Sequence, residues 1–154
     1  MSISRLTLGT AQLGSRYGIA NRLGQPKPDE VDAILRTAFD LEIRSLDTAA
    51  EYGESEAAIG RFLRREGRPD GLRICGKLPL LESGLSARAL DRAVADAASG
   101  SCQRLGAEKI DDYLVHSPAN LREYGRTLVA ALLRCREAGW VERIGVSVYG
   151  PEDA

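Results

Sequence analysis

The sequence alternates short apolar runs with longer stretches of helical periodicity, and this alternation limits the fold more than any other feature. The apolar runs predict five strands, at 5–9, 44–47, 72–77, 112–116 and 143–147. Units of one strand and one helix that recur at a spacing of roughly 30 to 40 residues are typical of an α/β protein with a parallel sheet. We therefore expect consecutive β-α units throughout the chain.

The stretches between these runs predict four helices, of which the first two have clear ends. Pro28 stands at the first position of the first helix, and the acidic residues after it suit the positive end of the helix dipole. The second helix is expected to begin with Ser55 as its N-cap and to end at Gly67.

The other two helices and one long loop complete the expected organisation. The third helix begins near Ser86, and the serines and glycine at 99–101 predict a bend or fraying there. The fourth covers about 120–138, with Gly139 as its stop. The connection 14–27 is longer than usual, and loops of that length tend to line functional sites.

Length and composition restrict the class of protein. The 154 residues are 44% apolar and 28% charged with a net charge of −1, so the chain is predicted to be globular, with no general attraction to nucleic acid or anionic membranes. The N-terminus carries no secretory signal and no apolar run is long enough to span a membrane, which predicts a cytoplasmic protein. A closed eight-stranded α/β barrel typically needs about 250 residues, so a barrel of this length would be truncated to about five strands and four helices.

Cysteine and histidine usage argues against disulfides and metal sites. Cys75, Cys102 and Cys135 are odd in number and widely spaced, as expected of reduced thiols. The sequence has one histidine and no Cys-x-x-Cys pair, so we expect no metal site.

Polar side chains stand at the ends of four consecutive predicted strands. In a parallel α/β barrel these ends face a common mouth, where the chemistry takes place. Read in order, the residues there are Asp47, Lys77, His116 and Ser147. Taken singly, Asp47 could cap a loop, Lys77 could lie at a sheet edge and His116 could be a core histidine, and Ser147 is as easily structural as functional. An acid, a base and an imidazole at three consecutive strand ends nevertheless favour a catalytic site.

Tyr52 adds a proton donor five residues beyond Asp47. A lysine ammonium close to its phenol would favour the ionised form, Asp47 would hold Lys77 charged, and His116 could hydrogen-bond a substrate oxygen. This set can reduce a carbonyl, because a hydride added to carbon leaves an alkoxide that the tyrosine protonates. No side chain supplies a hydride, so a nicotinamide cofactor is implied.

Five segments carry a resemblance to the aldo-keto reductase family. These are LTLGTAQLG (6–14), SLDTAAEYGESE (45–56), CGKLP (75–79), IDDYLVHSP (110–118) and RIGVSVY (143–149). The resemblance covers essentially the whole chain, 1–154, and implies the N-terminal portion of a single parallel (β/α)8 TIM barrel domain that is incomplete at its C-terminus. It implies that Tyr52 is the general acid, Lys77 its ionising partner, Asp47 the counter-ion of the lysine and His116 the orienting residue.

The resemblance also implies where a cofactor binds. Gly9 and Thr10 would lie near the nicotinamide together with Asp47, and Ser147 would bind its carboxamide. The family commonly has Asn after this serine, where the chain has Val148, and its adenosine and phosphate contacts come mainly from the last two β-α loops of the barrel, beyond strand five. The opening and closing segments are similar to a bacterial branch found beside or fused to sugar-nucleotide pathway enzymes, which suggests a sugar-related carbonyl substrate.

The leading hypothesis is therefore an NADPH-dependent carbonyl reductase, with NADH as an alternative cofactor. A cofactor-binding regulatory protein without turnover is a second hypothesis, and a metal-dependent hydrolase using Asp47 and His116 is a third, poorly supported one. A fourth is that this polypeptide alone is an inactive fragment. Five parallel strands would leave two open sheet edges and an uncovered inner face, which predicts self-association.

Overall fold

Five parallel strands form a single sheet, and neighbouring strands follow one another in sequence order. The computed structural model describes residues 5–148 and 150, so Tyr149, the last residue of the RIGVSVY segment, lies outside the described residues. The strands are Leu8–Gly9 (β1), Ser45–Asp47 (β2), Arg73–Leu78 (β3), Ile110–Val115 (β4) and Val141–Val146 (β5). All five predicted strands are confirmed. A sheet without a reversal of strand order matches consecutive strands of a (β/α)8 barrel, whereas a doubly wound sheet reverses its order.

Helices connect the strands, as the periodicity predicts. They are Ala11–Gly14 (α1), Pro28–Asp40 (α2), Ser55–Glu66 (α3), Ala87–Leu105 (α4) and Pro118–Glu137 (α5). Four of them were predicted, and the single turn α1 was not. No helix in the described part of the chain is long and apolar enough to cross a membrane.

The prediction of a bend in the third predicted helix, which is α4 in the structure, is wrong. α4 runs without interruption through 99–101, although glycine and serine favour helix weakly. Ala98, Cys102 and Leu105 are buried on both sides of this stretch, and their packing against the core outweighs the low local propensity.

Two other helix starts differ from the expected ones by one or two residues. Glu54, not Ser55, is the N-cap of α3, because the Ser55 hydroxyl bonds to residues of the neighbouring loops. α5 begins at Pro118, where the Ser117 side chain accepts a hydrogen bond from the amide of Ala119. α4 begins where the sequence predicts, and Ser86 is its N-cap, with its side chain accepting a hydrogen bond from the amide of Ala89.

The core lies between the helices and one face of the sheet. Strand residues that point to this face, such as Leu46, Ile74 and Tyr113, are fully buried. Because side chains alternate along a strand, Lys77 and Asp112 belong to the opposite, inner face. That face carries an ion-pair cluster toward the starts of the strands, where Asp112 accepts hydrogen bonds from Arg73 at 3.0 Å and from Arg143 at 2.6 and 2.9 Å.

Candidate active site

Lys77 and Asp47 form a close ion pair at the carboxyl ends of β3 and β2. The Lys77 ammonium donates to Asp47 Oδ1 at 2.6 Å and to the carbonyl oxygen of Thr48 at 2.9 Å. Lys77 is only 5% exposed, whereas the Asp47 side chain is about one-third exposed. Asp47 therefore supplies the charge that compensates a buried cation, as the sequence predicts.

Tyr52 is close to both Lys77 and His116. The Lys77 ammonium is 4.9 Å from the centroid of the Tyr52 ring, and the His116 ring meets the same ring edge-on at a centroid distance of 5.8 Å. The structure thus brings together the four side chains that the sequence analysis selected as catalytic, from three strand ends and the loop that follows β2.

Glu51 is a site residue that sequence reasoning missed. Its Oε2 lies 2.6 Å from Nδ1 of His116, across 65 positions of sequence. The signal was present in the sequence, because Glu51 directly precedes Tyr52, which the sequence analysis selected as the proton donor. What sequence alone could not show is that the loop after β2 turns this carboxylate toward the end of β4.

A chain of hydroxyl groups fixes the two strand ends below this site. Thr10 Oγ1 donates to the carbonyl oxygen of Asp47 at 2.8 Å, Ser55 Oγ donates to Thr10 Oγ1 at 2.8 Å, and Thr48 Oγ1 lies 3.1 Å from Ser55 Oγ. All three hydroxyl-bearing residues are fully buried. Because each hydroxyl hydrogen has an acceptor, this hydrogen-bond network joins β1, β2 and the start of α3 rigidly behind Asp47.

A cavity of about 310 Å³ opens beside Asp47 and Tyr52. It is also lined by Gly9, Thr10, Ala11, Gln12, Tyr17 and Gly18. A Cβ at Gly9 would have no atom within 4 Å, so the cavity wall is bare at this position. Two of the lining residues come from the long connection 14–27, which agrees with the expectation that this loop lines the site.

Ser147 takes a different position from the other predicted cofactor residues. It follows β5, where its amide donates to the carbonyl oxygen of Val115 at 3.0 Å, so it stands at the same sheet edge as His116. It does not line the cavity beside Asp47. The next residue, Val148, is 47% exposed.

Cys75 lies on the same strand face as Lys77 but is unsuited to nucleophilic chemistry. Burial raises the pKa of its thiol to about 11, and the nearby Lys77 charge only partly offsets this effect. A thiol that remains protonated at neutral pH is a poor nucleophile. Cys75 is therefore not a candidate nucleophile.

Comparison with known proteins agrees with this geometry. The family model for the aldo/keto reductase family matches residues 5–154. An aldo-keto reductase of Mycolicibacterium smegmatis is 31% identical over 85% of this chain and 44% of its own length, and one of Mycobacterium marinum is 32% identical over 80% and 42%.

Solved structures of aldo-keto reductases are also similar to this chain. A crystal structure of a Pseudomonas aeruginosa protein assigned as an aldo-keto reductase has a TM-score of 0.74 at 28% identity, covering 96% of this chain and 56% of that one. The chain spans somewhat less than half the length of the curated relatives it matches. Its five-stranded sheet and helices correspond to part of a (β/α)8 barrel, and the chain belongs to the aldo/keto reductase family.

Proposed function

We propose that the protein reduces an aldehyde or ketone to an alcohol with NADPH, or alternatively NADH, as hydride donor. Family membership supports an oxidoreductase acting on carbonyls. The observation that carries the finer proposal is the placement of the Tyr52 ring close to both a buried ammonium at 4.9 Å and an imidazole ring at 5.8 Å.

The reaction divides into a hydride and a proton. A nicotinamide cofactor held beside Gly9 and Asp47 would supply the hydride for the carbonyl carbon, which no side chain can do. The Tyr52 hydroxyl gives its proton to the carbonyl oxygen as negative charge develops there. Tyr52 is left as a phenolate, and the neighbouring Lys77 ammonium stabilises that negative charge. Asp47 keeps the ammonium in place through the 2.6 Å hydrogen bond.

His116 has the role of orienting the substrate. A ring nitrogen that donates to the carbonyl oxygen fixes the carbonyl against Tyr52 and favours the alkoxide over the ground state. Nδ1 is already bonded to Glu51, so Nε2 is the nitrogen assigned to the substrate.

The cavity beside Asp47 fits the reactive end of the cofactor. Gly9 leaves space for a flat ring, and Thr10 and Asp47 line the same wall. Ser147 is proposed to bind the carboxamide from the end of β5. The Thr10 hydroxyl is committed to the carbonyl oxygen of Asp47, so we assign Thr10 to shaping the wall and its hydroxyl to holding Asp47.

The relatives are almost twice as long as this chain, and this difference suggests what the chain can do alone. We propose that the 154-residue polypeptide by itself has no turnover and self-associates through its open sheet edges and inner face. We further propose that the protein works in the cytoplasm, on a small carbonyl substrate that is sugar-related, with no nucleic-acid or membrane partner.

The test is NADPH oxidation by the purified full-length protein across a panel of aldehydes and ketones that includes aldoses and keto sugars. We expect carbonyl-dependent loss of NADPH absorbance, with equimolar formation of the alcohol and no loss when the carbonyl is omitted. Stoichiometric NADPH binding without reduction of any panel member would contradict the proposal and favour a cofactor-binding regulatory protein, the alternative with which Val148 is compatible.

A further inference from the structure

His116 has a carboxylate partner, Glu51, that bears on which of its ring nitrogens carry a proton. His116 Nδ1 and Glu51 Oε2 are 2.6 Å apart, which is a short hydrogen bond, and hydrogen bonds between charged groups are shorter than neutral ones. The His116 side chain is 17% exposed and the Glu51 side chain is 45% exposed, so the imidazole is largely enclosed while its carboxylate partner reaches the solvent. The carboxylate can only accept, so Nδ1 carries a proton.

This bond restricts what Nε2 can do. In a neutral imidazole only one nitrogen carries a proton, so a ring that donates from Nδ1 to Glu51 has an unprotonated Nε2. An unprotonated nitrogen cannot donate to a carbonyl oxygen, which also only accepts. Both nitrogens must therefore be protonated for His116 to bind Glu51 and a carbonyl substrate together.

The surrounding charges allow this form. The loop after β2 presents Glu51 and Tyr52 to His116, and the Lys77 ammonium at the end of β3 lies 4.9 Å from the centroid of the same Tyr52 ring. The positive charge of Lys77 opposes a second cation, but Asp47 at 2.6 Å compensates it. The end of β5 contributes the uncharged Ser147. Two ion pairs thus lie close to the tyrosine, and the net charge of the four groups is zero when His116 is protonated.

We propose that Glu51 is a positioning residue that keeps His116 doubly protonated, so that Nε2–H donates to the substrate's carbonyl oxygen. This inference rests on the proposed carbonyl reduction for its role, but the protonation state is a property of the protein alone. It adds a fifth residue to the site, adjacent in sequence to the proton donor. The same loop therefore places both Tyr52 and the partner of His116.

The test observes His116, the single histidine of these 154 residues, in the purified full-length protein. Imidazole ¹⁵N spectra of histidine-labelled protein report its protonation directly, and a His116→Asn variant assigns the signals. We expect a doubly protonated ring at neutral pH in the wild type and a neutral ring in Glu51→Gln, which keeps an oxygen acceptor but removes the charge. Glu54→Gln removes the same charge from an exposed position of the same loop and should leave the ring doubly protonated.

Kinetics then test the role in the reaction. Glu51→Gln should lower kcat/KM for carbonyl reduction about tenfold at neutral pH, with recovery at lower pH where the ring is protonated again. An unchanged melting temperature would exclude unfolding as the cause. The proposal is overturned by a wild-type ring that is neutral at neutral pH, by a Glu51→Gln ring that titrates as the wild type does, or by an altered ring with unchanged kcat/KM. A protein with the expected spectra that reduces no carbonyl would confirm the pairing and contradict the proposed function instead.

Discussion

Gly14 and Gly53 are packed so closely that neither position has room for a Cβ atom. A Cβ at Gly14 would lie 1.9 Å from the carbonyl oxygen of Tyr52, and a Cβ at Gly53 would lie 2.3 Å from the carbonyl oxygen of Gly14. The amide of Glu54 donates to that same Gly14 oxygen at 3.1 Å. Two segments that are almost 40 residues apart in sequence thereby fix the backbone that carries Tyr52.

The first prediction concerns this contact. Gly14→Ala should displace the Tyr52 loop, lowering the free energy of unfolding by about 1–3 kcal/mol and kcat by about 100-fold, because small displacements of a catalytic group are costly. Urea unfolding and steady-state kinetics measure the two effects. Gly100→Ala is the matched control, since a Cβ there would approach only the flexible end of Arg104 in the middle of α4. It should keep full activity, and equal losses in both variants would contradict the account.

The second prediction concerns the charge balance of Lys77. Asp47→Asn keeps the shape of the side chain but leaves a 5% exposed ammonium without its counter-ion. We expect a loss of about 2 kcal/mol in the free energy of unfolding and a large loss of kcat. Urea unfolding of Asp47→Asn, alone and combined with Lys77→Met, separates the causes. The stability cost should largely disappear in the Lys77→Met background, and an equal cost in both backgrounds would show that the pair is not its source.

A third prediction follows from the ion pairs at the starts of the strands. Hydrogen bonds from Arg143, with a smaller contribution from Arg73, hold the pKa of Asp112 below its usual value. Such a carboxylate adds stability above the usual aspartate pKa of about 3.9, and this contribution is lost as the pH falls through the lower pKa of the folded state. The effect should be under about 1 kcal/mol, since the Arg73 and Arg143 side chains are 40% and 57% exposed.

Urea unfolding at a series of acidic pH values tests this effect. Asp112→Asn should lower stability at neutral pH and flatten the decline toward acid, whereas Asp70→Asn at an exposed position should follow the wild type. An Asp112→Asn curve parallel to that of the wild type would contradict the assignment.

The alternation of strands and helices predicted where the polar residues of the site would meet. Asp47, Lys77 and His116 each stand at a strand end, and parallel strands bring such ends to one edge of the sheet. The approach of Gly14 to Gly53 was not predictable, because it depends on how two loops fold over each other. The same is true of Glu51, whose partner lies on a distant strand.

Helix ends and interruptions were predicted less well than the elements themselves. The stretch 99–101 was expected to bend because of its local propensity, but burial on both sides keeps α4 continuous. Gly125 shows the reverse case. It has a φ of 48° inside α5 and interrupts that helix, whereas the sequence predicted one helix over about 120–138.

The central claim is that Tyr52 gives the proton in a carbonyl reduction, and Tyr52→Phe tests it most directly. The substitution removes one oxygen atom and leaves the ring close to Lys77 and His116. Tyr113→Phe, in the core on the other face of the sheet, serves as the control for loss of a phenol hydroxyl. In the full-length protein, kcat for NADPH-dependent carbonyl reduction should fall about 100- to 10,000-fold in Tyr52→Phe and change little in Tyr113→Phe. Retention of most of the wild-type kcat by Tyr52→Phe would contradict the account.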